Sequence, residues 1–431
     1  MSSLIKLIRG GILQSKLPQK LQEIIKNEPH KLVIFINPPY AESPSGNTSA
    51  GTGRNKIGVS NTTKIHEKYR KDWGGDALKE LFMQFFVRIY AEIPNCILGS
   101  FSKLKHINAS KSIKFREKFK AKFLKGFIVP SNTFNNVKEN YPIGFLVWNL
   151  GDKQKIEKCR VDIFDKNNRQ IGKKNFYANL PHINQWITTF NGKTQKSENI
   201  IGWIGTGAPD FQNQTYICLL SQKGTRNVPY IAINKYNLMQ SCIYFAVRHA
   251  IKASWIKDRD QFLYPNDKWQ KDTEFRNDCL IFTLFHNQNF IKAKEGINHF
   301  IPFSEEEVNA RQIFQSHFMV DFIKGKIKPK NDKRENLICV ENFIPTKSLE
   351  FSKEAQEVFS AGLALWKYYH AKCDEQNYNA NASFKDIKEY FKGLNNKDKE
   401  FNALTTHLTQ KLNALALKIQ PKIYKYGFLK D

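Results

Sequence analysis

The chain has 431 residues, 41% of them apolar, with 67 Lys and Arg against 40 Asp and Glu, a formal net charge of +27. That length allows roughly two to three domains, each with its own core, and excludes a small stapled scaffold. A positive field of this size favours phosphate backbones; no run of about 18 apolar residues offers a membrane span, and the apolar stretch within Met1 to Leu13 is too short for a signal peptide.

In chain order, the first thirty residues, through Leu21-Gln22-Glu23-Ile24-Ile25, predict one amphipathic helix. Leu32 to Ile36 is a continuous apolar run, which predicts a central parallel strand covered on both faces. It stops at Asn37-Pro38-Pro39-Tyr40, where two prolines remove donors and fix φ. Residues 41 to 63 are rich in Gly, Ser, Thr and Asn, with only Ile57 and Val59 as sizeable apolar side chains. They predict a mobile loop at the strand's carboxyl end, where ligands enter open α/β sheets.

Asp76 to Glu92 reads as a helix with Leu78, Leu81, Phe82, Phe85, Phe86 and Ile89 on one face, and Cys96 to Phe101 as a strand. The segment Lys103 to Lys125 holds nine Lys or Arg and one acid, Glu117, with Phe115, Phe119 and Phe123 every four residues. That spacing predicts a helix pinned by its phenylalanines, with a cationic outer face. Lys103, Lys105, Lys111, Lys114 and Arg116 are its candidate DNA contacts. Phe127 to Val129 and Gly144 to Leu150 are two further strands, and Val161 to Phe164 opens a hairpin turned at Lys166-Asn167-Asn168. The succession predicts an α/β fold with an antiparallel edge.

Beyond about residue 180 the pattern loosens, so the chain divides into 1–180 and 181–431. Trp186, Trp203, Trp255 and Trp269 lie among short apolar runs. Later, Ser304 with Glu307 predicts a capped helix carrying Phe314, Phe318 and Phe322, and Ser383 with Asp386 opens another. The last long helix carries Leu404, Leu408, Leu412, Leu415 and Ile419. Seven cysteines, at 96, 159, 218, 242, 279, 339 and 373, are odd in number and include no C-x-x-C pair. Neither a disulfide frame nor a zinc knuckle follows, and reduced thiols in a cytoplasmic protein are expected.

Asn37-Pro38-Pro39-Tyr40 carries a specific chemistry. An exocyclic amine such as adenine N6 is a poor nucleophile because its lone pair is delocalised into the ring. The Asn37 amide oxygen and the Pro38 carbonyl can each accept an N6 hydrogen, pulling the nitrogen toward tetrahedral geometry. Pro38 and Pro39 hold that carbonyl in place, and Tyr40 offers a ring on which an extruded base can stack. Composition alone would place such a tetrapeptide in a chain of this length on the order of once in several hundred sequences. The bland alternative is an Asn-Pro turn ending a core strand.

Ile36-Asn37-Pro38-Pro39-Tyr40, with the elements behind it, resembles the adenine-N6 amino-methyltransferases of bacterial restriction-modification systems over roughly residues 30–165. The resemblance implies the C-terminal half of a Rossmann-like methyltransferase sheet with an antiparallel edge hairpin, followed by a mixed, later helical, target-recognition region. It implies S-adenosyl-L-methionine as cofactor, double-stranded DNA as partner, and a second aromatic residue stacking on the flipped adenine. Phe134, before the strand Pro142 to Trp148, stands where that residue belongs, against the alternative of an ordinary core aromatic.

In the order the resemblance implies, an F-x-G-x-G turn and two acidic strand ends should precede Asn37. The 36 residues there contain only Gly10-Gly11, so the cofactor half is expected to be lost or encoded separately. Gly202 to Gly207, in Ile201-Gly202-Trp203-Ile204-Gly205-Thr206-Gly207, is the candidate for a displaced glycine motif. A non-catalytic DNA-binding specificity subunit or remnant, and methylation of RNA or of a protein glutamine, remain alternatives. Pro209-Asp210 followed by Ser221-Gln222-Lys223 lacks the second carboxylate that a restriction nuclease needs.

Overall fold

A computed structural model describes residues 18–39, 60–134, 141–190, 200–328, 343–394 and 398–431. The chain forms two compact units. The first runs to Leu180 and takes in Ser254–Gln261 and Asp431; the second comprises Pro181–Ala253 and Phe262–Lys430.

In the first unit, α1 (Gln19–Asn27) leads into β1 (Val33–Ile36). Next come α2 (Lys64–Trp73), whose cap Thr63 accepts the His66 amide, then α3 (Leu81–Glu92) and β2 (Ile97–Lys103). Two short helices, α4 (Lys105–Asn108) and α5 (Ile113–Lys118), precede β3 (Lys122–Pro130), β4 (Pro142–Asn149), β5 (Lys158–Phe164) and β6 (Gln170–Tyr177). These strands form one sheet in the order β1-β2-β4-β3-β5-β6. β1 pairs parallel with β2 and β3 with β5, while β4 runs antiparallel between β2 and β3. The carboxyl ends of β1, β2, β3 and β5 therefore share one edge. β5 and β6 form the expected hairpin, with Asn168 at φ 59° in its turn.

One sheet face is packed by helices. Leu98, Leu146 and Trp148 are buried with Phe82 and Phe86 of α3 and with Phe115 and Phe119, whose rings stack at 5.2 Å. Burying each such side chain contributes about 1.5–3 kcal/mol. The other face carries a row of phenylalanines, Phe35, Phe101, Phe145, Phe127 and Phe164, with neighbouring rings 4.9–6.2 Å apart. A side chain at Gly99 would meet the Phe145 ring at 2.9 Å, so this row requires glycine there.

Three expectations need correction. β1 is an edge strand among the described residues, not a central one: Ile34 and Ile36 are buried, but Val33 is 70% and Phe35 55% exposed. A continuous apolar run shows that one face is buried and leaves the other undetermined. The single helix over Lys103 to Lys125 is broken: α5 ends at Lys118, and Phe123 belongs to β3, where it meets Trp148 at 5.3 Å. The helix expected from Asp76 starts at Leu81, because Glu80 is extended, with a 3-10 turn at Ala77–Lys79 before it. The N-terminal helix, within the described residues, is Gln19–Asn27.

The second unit contains α6 (Ile183–Thr188) and the strands β7 (Gly202–Gly205), β8 (Leu219–Leu220) and β9 (Tyr230–Ile233). α7 (Leu238–His249) and α8 (Thr273–Phe285) form its centre, followed by β10 (Asn289–Phe290), α9 (Glu305–Val308) and α10 (Phe318–Ile323). α11 (Lys353–Lys372), α12 (Phe384–Gly393) and α13 (Lys399–Lys425) complete it. The strands form a small sheet, β10-β8-β7-β9, which the sequence did not lead us to expect. α7 is buried at almost every position, so it carries no amphipathic period to read.

Both capping boxes are present, at Ser304 with Glu307 and at Ser383 with Asp386. The first opens a helix of one turn, stopped by Asn309 at φ 55°; Phe314, Phe318 and Phe322 do not share it. The expected last helix is α13, with Leu408, Leu412, Leu415 and Ile419 buried along it. Cys96, Cys159, Cys218, Cys242, Cys279 and Cys373 are buried and unbridged. Among the described residues no helix is long and apolar enough to cross a membrane.

Candidate functional site

Asn37 and Pro38 leave β1 at the carboxyl edge of the first sheet, Asn37 exposed and Pro38 buried, with Pro39 exposed beyond them. The register Ile36 to Ser100 places Asn37 beside the continuing strand β2, near Phe101. Tyr40, the loop from 41 through 59, and Gly10-Gly11 lie outside the described residues.

Phe134 reaches the same edge from β3. Pro130 ends that strand, Ser131–Thr133 form a single 3-10 turn, and Phe134 follows in extended conformation, half-buried. The buried Ser131 hydroxyl accepts the Tyr141 amide at 3.1 Å and joins the turn to the start of β4. The Phe134 ring meets Phe101 edge-on at 5.6 Å, and Phe101 meets Phe35 at 6.2 Å. Asn37 and Phe134 thus lie at the same end of the sheet, with Phe101, on a strand between theirs, in ring contact with Phe35 and Phe134. Phe35 and Phe101 were not singled out from sequence; in β1 apolar residues stand on both faces, and in β2 the face opposite Phe101 carries the buried Ser100 and Ser102, so neither strand shows a plain alternation.

The basic segment behaves otherwise. Glu80, 3% exposed, closes on Lys105 and lies 3.6 Å from Lys103, so both candidate DNA lysines are turned onto a buried carboxylate. Arg116 is 2% exposed; its Nε donates to Asn179 Oδ1 at 2.9 Å, and Nη1 donates to the carbonyls of Ala109 at 2.9 Å and His106 at 3.5 Å. Burial pulls its guanidinium down to about 10. Arg116 is therefore a structural cation that ties the α4–α5 turns to Asn179 and does not reach solvent. Lys111 and Lys114 remain exposed. His106 lies in a cage of Phe82, Phe86, Phe115 and Trp148, and burial drives its ring down to about 3, which keeps it neutral.

In the first sheet β4 runs into a bend at Leu150-Gly151-Asp152, where the Gly151 amide donates to Asn149 Oδ1 at 2.9 Å. In the second unit a Cβ at Gly205 would lie 2.5 Å from the Tyr216 carbonyl oxygen, and one at Gly207 3.0 Å from the Asn213 carbonyl oxygen. Those glycines allow close packing of β7 and the residues after it on the Phe211–Tyr216 turn. Asp210, the acid considered for nuclease chemistry, caps that turn by accepting the Asn213 amide at 3.1 Å. No group of three or more metal-ligating side chains is present among the described residues.

No family model and no curated protein matches the chain. Among solved structures, the chain is similar to the ATP-dependent Type ISP restriction-modification enzyme LlaBIII bound to DNA. Identity is 11% and the TM-score 0.25, over 48% of this chain and 17% of that one.

Proposed function

We propose that the carboxyl edge of the first sheet is the base pocket of an adenine-N6 DNA methyltransferase of restriction-modification type, and that the second unit contacts its double-stranded DNA. The observation that carries this reading is that the Asn37-Pro38 corner, directly after β1, and Phe134, directly after β3, lie at the same end of the sheet, with Phe101 in ring contact with Phe134 and with Phe35 of β1. Asn37 Oδ1 and the Pro38 carbonyl accept the two N6 hydrogens of an extruded adenine, which concentrates the amine's lone pair and stabilises the charge that develops on it. Phe134 and Tyr40 hold the ring plane.

The methyl donor that the resemblance implies is S-adenosylmethionine, bound by polypeptide beyond the described sheet, in a separate chain or a further segment. The exposed Val33 and Phe35 and the edge position of β1 among the described residues support this, because parallel strands are normally covered on both faces. The test is transfer of labelled methyl groups to DNA by the chain alone and with the polypeptide encoded beside it. N6-methyladenine formed only in the combination is the expected result. Micromolar binding of S-adenosylmethionine by the chain alone, measured by calorimetry, would overturn the shared-site account. A non-catalytic DNA-binding subunit is the alternative, and it predicts DNA binding with no methylation in either case.

A further inference from the structure

α12 carries two stripes offset by one residue. Phe384, Ile387 and Phe391 are buried, and Lys385, Lys388 and Lys392 repeat with the same spacing, so three ammonium groups share one flank of the helix. That flank and α13 wall a cleft of 540 Å³, whose other lining includes Asn287, Thr405, Thr409 and Gln410. The cleft's carboxylate is Glu389, already engaged by Lys292 at 2.9 Å and Lys385 at 3.5 Å. Glu400 lines the adjoining groove and not this cleft.

Lys388 donates to an uncharged partner, Asn287 Oδ1, at 2.6 Å, and its ammonium lies 5.1 Å over the Phe384 ring. Burial, with Lys385 one turn away, holds Lys388 below the ordinary lysine range. Among the described residues neither Lys388 nor Lys392 forms an ion pair with a carboxylate. Farther along, α13 handles lysines differently: Lys411 pairs with Glu357 at 3.0 Å, Lys418 with Glu274 at 3.1 Å and Glu354 at 3.2 Å, and Lys422 with Asp272. Opposite the α12 stripe it presents threonines whose hydroxyls donate back to their own helix, as from Thr405 to Phe401 and Thr409 to Thr405. Lys388 and Lys392 thus face a wall of threonines, and among the described residues no carboxylate pairs with either, while Lys385 shares Glu389 with Lys292.

The lysine stripe spans seven residues, about 10 Å along the helix axis. One DNA strand advances about 3.4 Å per nucleotide, so the array is longer than a single phosphate requires and matches roughly three nucleotides. We propose that this cleft is a contact site for the phosphodiester backbone of double-stranded DNA, with Lys385, Lys388 and Lys392 as its phosphate-binding cations. The choice of DNA rests on the proposed function, and the contact carries no sequence information itself.

Fluorescence anisotropy of the full chain on a labelled duplex of arbitrary sequence, over a KCl series, tests it. Lys385→Gln with Lys392→Gln leaves the Lys388–Asn287 hydrogen bond in place, and its folding is checked by thermal midpoint. The expected result is on the order of tenfold weaker binding or more, and a log K against log salt slope shallower by about 1.8, two lost contacts at about 0.9 each. Arginine at both positions should restore binding. The duplex is of arbitrary sequence and no methyl transfer is read, so failure of the methylation reading leaves this result standing. An unchanged affinity and slope in the glutamine pair at wild-type thermal midpoint would overturn the proposal. So would calorimetric binding of inorganic phosphate that the pair abolishes while duplex binding stays intact, which marks a small-anion site.

Discussion

The chain has two lysine-rich stretches of similar spacing and opposite construction. Between Lys103 and Lys125 the cations are dense, yet Lys103 and Lys105 fold onto the buried Glu80, and Arg116 is enclosed by amide and carbonyl oxygens. On α12 only three lysines repeat, but they line an open cleft walled by threonines of α13, with Glu389 engaging only Lys385 of the three. Charge density along a sequence therefore says little about a binding face. What decides is whether the fold supplies the counter-charge.

The largest effect that tests this contrast is on Arg116. Arg116→Ala removes a buried guanidinium and leaves Asn179 Oδ1 and the Ala109 carbonyl without their donor, so a loss of about 3 kcal/mol in urea unfolding is expected. DNA binding measured on the folded protein should keep its salt slope; a shallower slope would return Arg116 to the interface. Phe134→Ala should lower methyl transfer in the complete system by about 1–3 kcal/mol in kcat/KM, the worth of one stacked base, with Phe134→Tyr near wild type. An ordinary core role for Phe134 would instead show as lost stability at unchanged kcat/KM.

His106 offers a pH signature for the interior of the same segment. Its ring sits at about 3 in the folded chain against an ordinary 6.5, so protonation favours the unfolded state. The stability it provides is full above pH 6.5 and is lost as pH falls toward 3, about 2 kcal/mol by pH 5. Asp260, buried and raised to about 6, acts with the opposite sign: its contribution is present below 3.8 and is lost as pH rises through 6. Comparing wild type with His106→Phe at pH 7 and pH 5 isolates the histidine, and equal pH dependence in both would contradict its burial as the neutral form. The smallest effect belongs to Lys111→Gln with Lys114→Gln, both exposed. Stability should stay within about 0.5 kcal/mol. Any effect on the salt slope should be at most about 0.9 for each of the two.

Legibility in the sequence followed the strength of local constraint. Strands β2, β4 and β5, the second half of β3 and the β5–β6 hairpin were visible as short apolar runs with an Asn-rich turn, whereas Lys122–Lys125 of β3 read as helix. The last helix was visible because Leu408, Leu412, Leu415 and Ile419 repeat over several turns. The small β7–β10 sheet was not: β8 and β10 are two residues long, too short to carry a period. The edge position of β1 was misread because an apolar run looks the same with one face buried or two. Within the candidate site the Asn-Pro-Pro corner was legible as a motif, whereas the bridging role of Phe101 depends on register between strands distant in sequence. The α12 stripe escaped notice because three lysines at helical spacing are an ordinary solvated face until the threonine wall opposite is seen.

The central claim is that the corner after β1 presents Asn37 to an adenine amine. Mass spectrometry of nucleosides from cells carrying the chain with its neighbouring polypeptide, as wild type and as Asn37→Ala, tests it most directly. Asn37 is exposed, so the variant should fold and bind DNA normally while N6-methyladenine falls by at least about a hundredfold, the cost of removing one such acceptor. N6-methyladenine at the wild-type level in the Asn37→Ala cells would contradict the account.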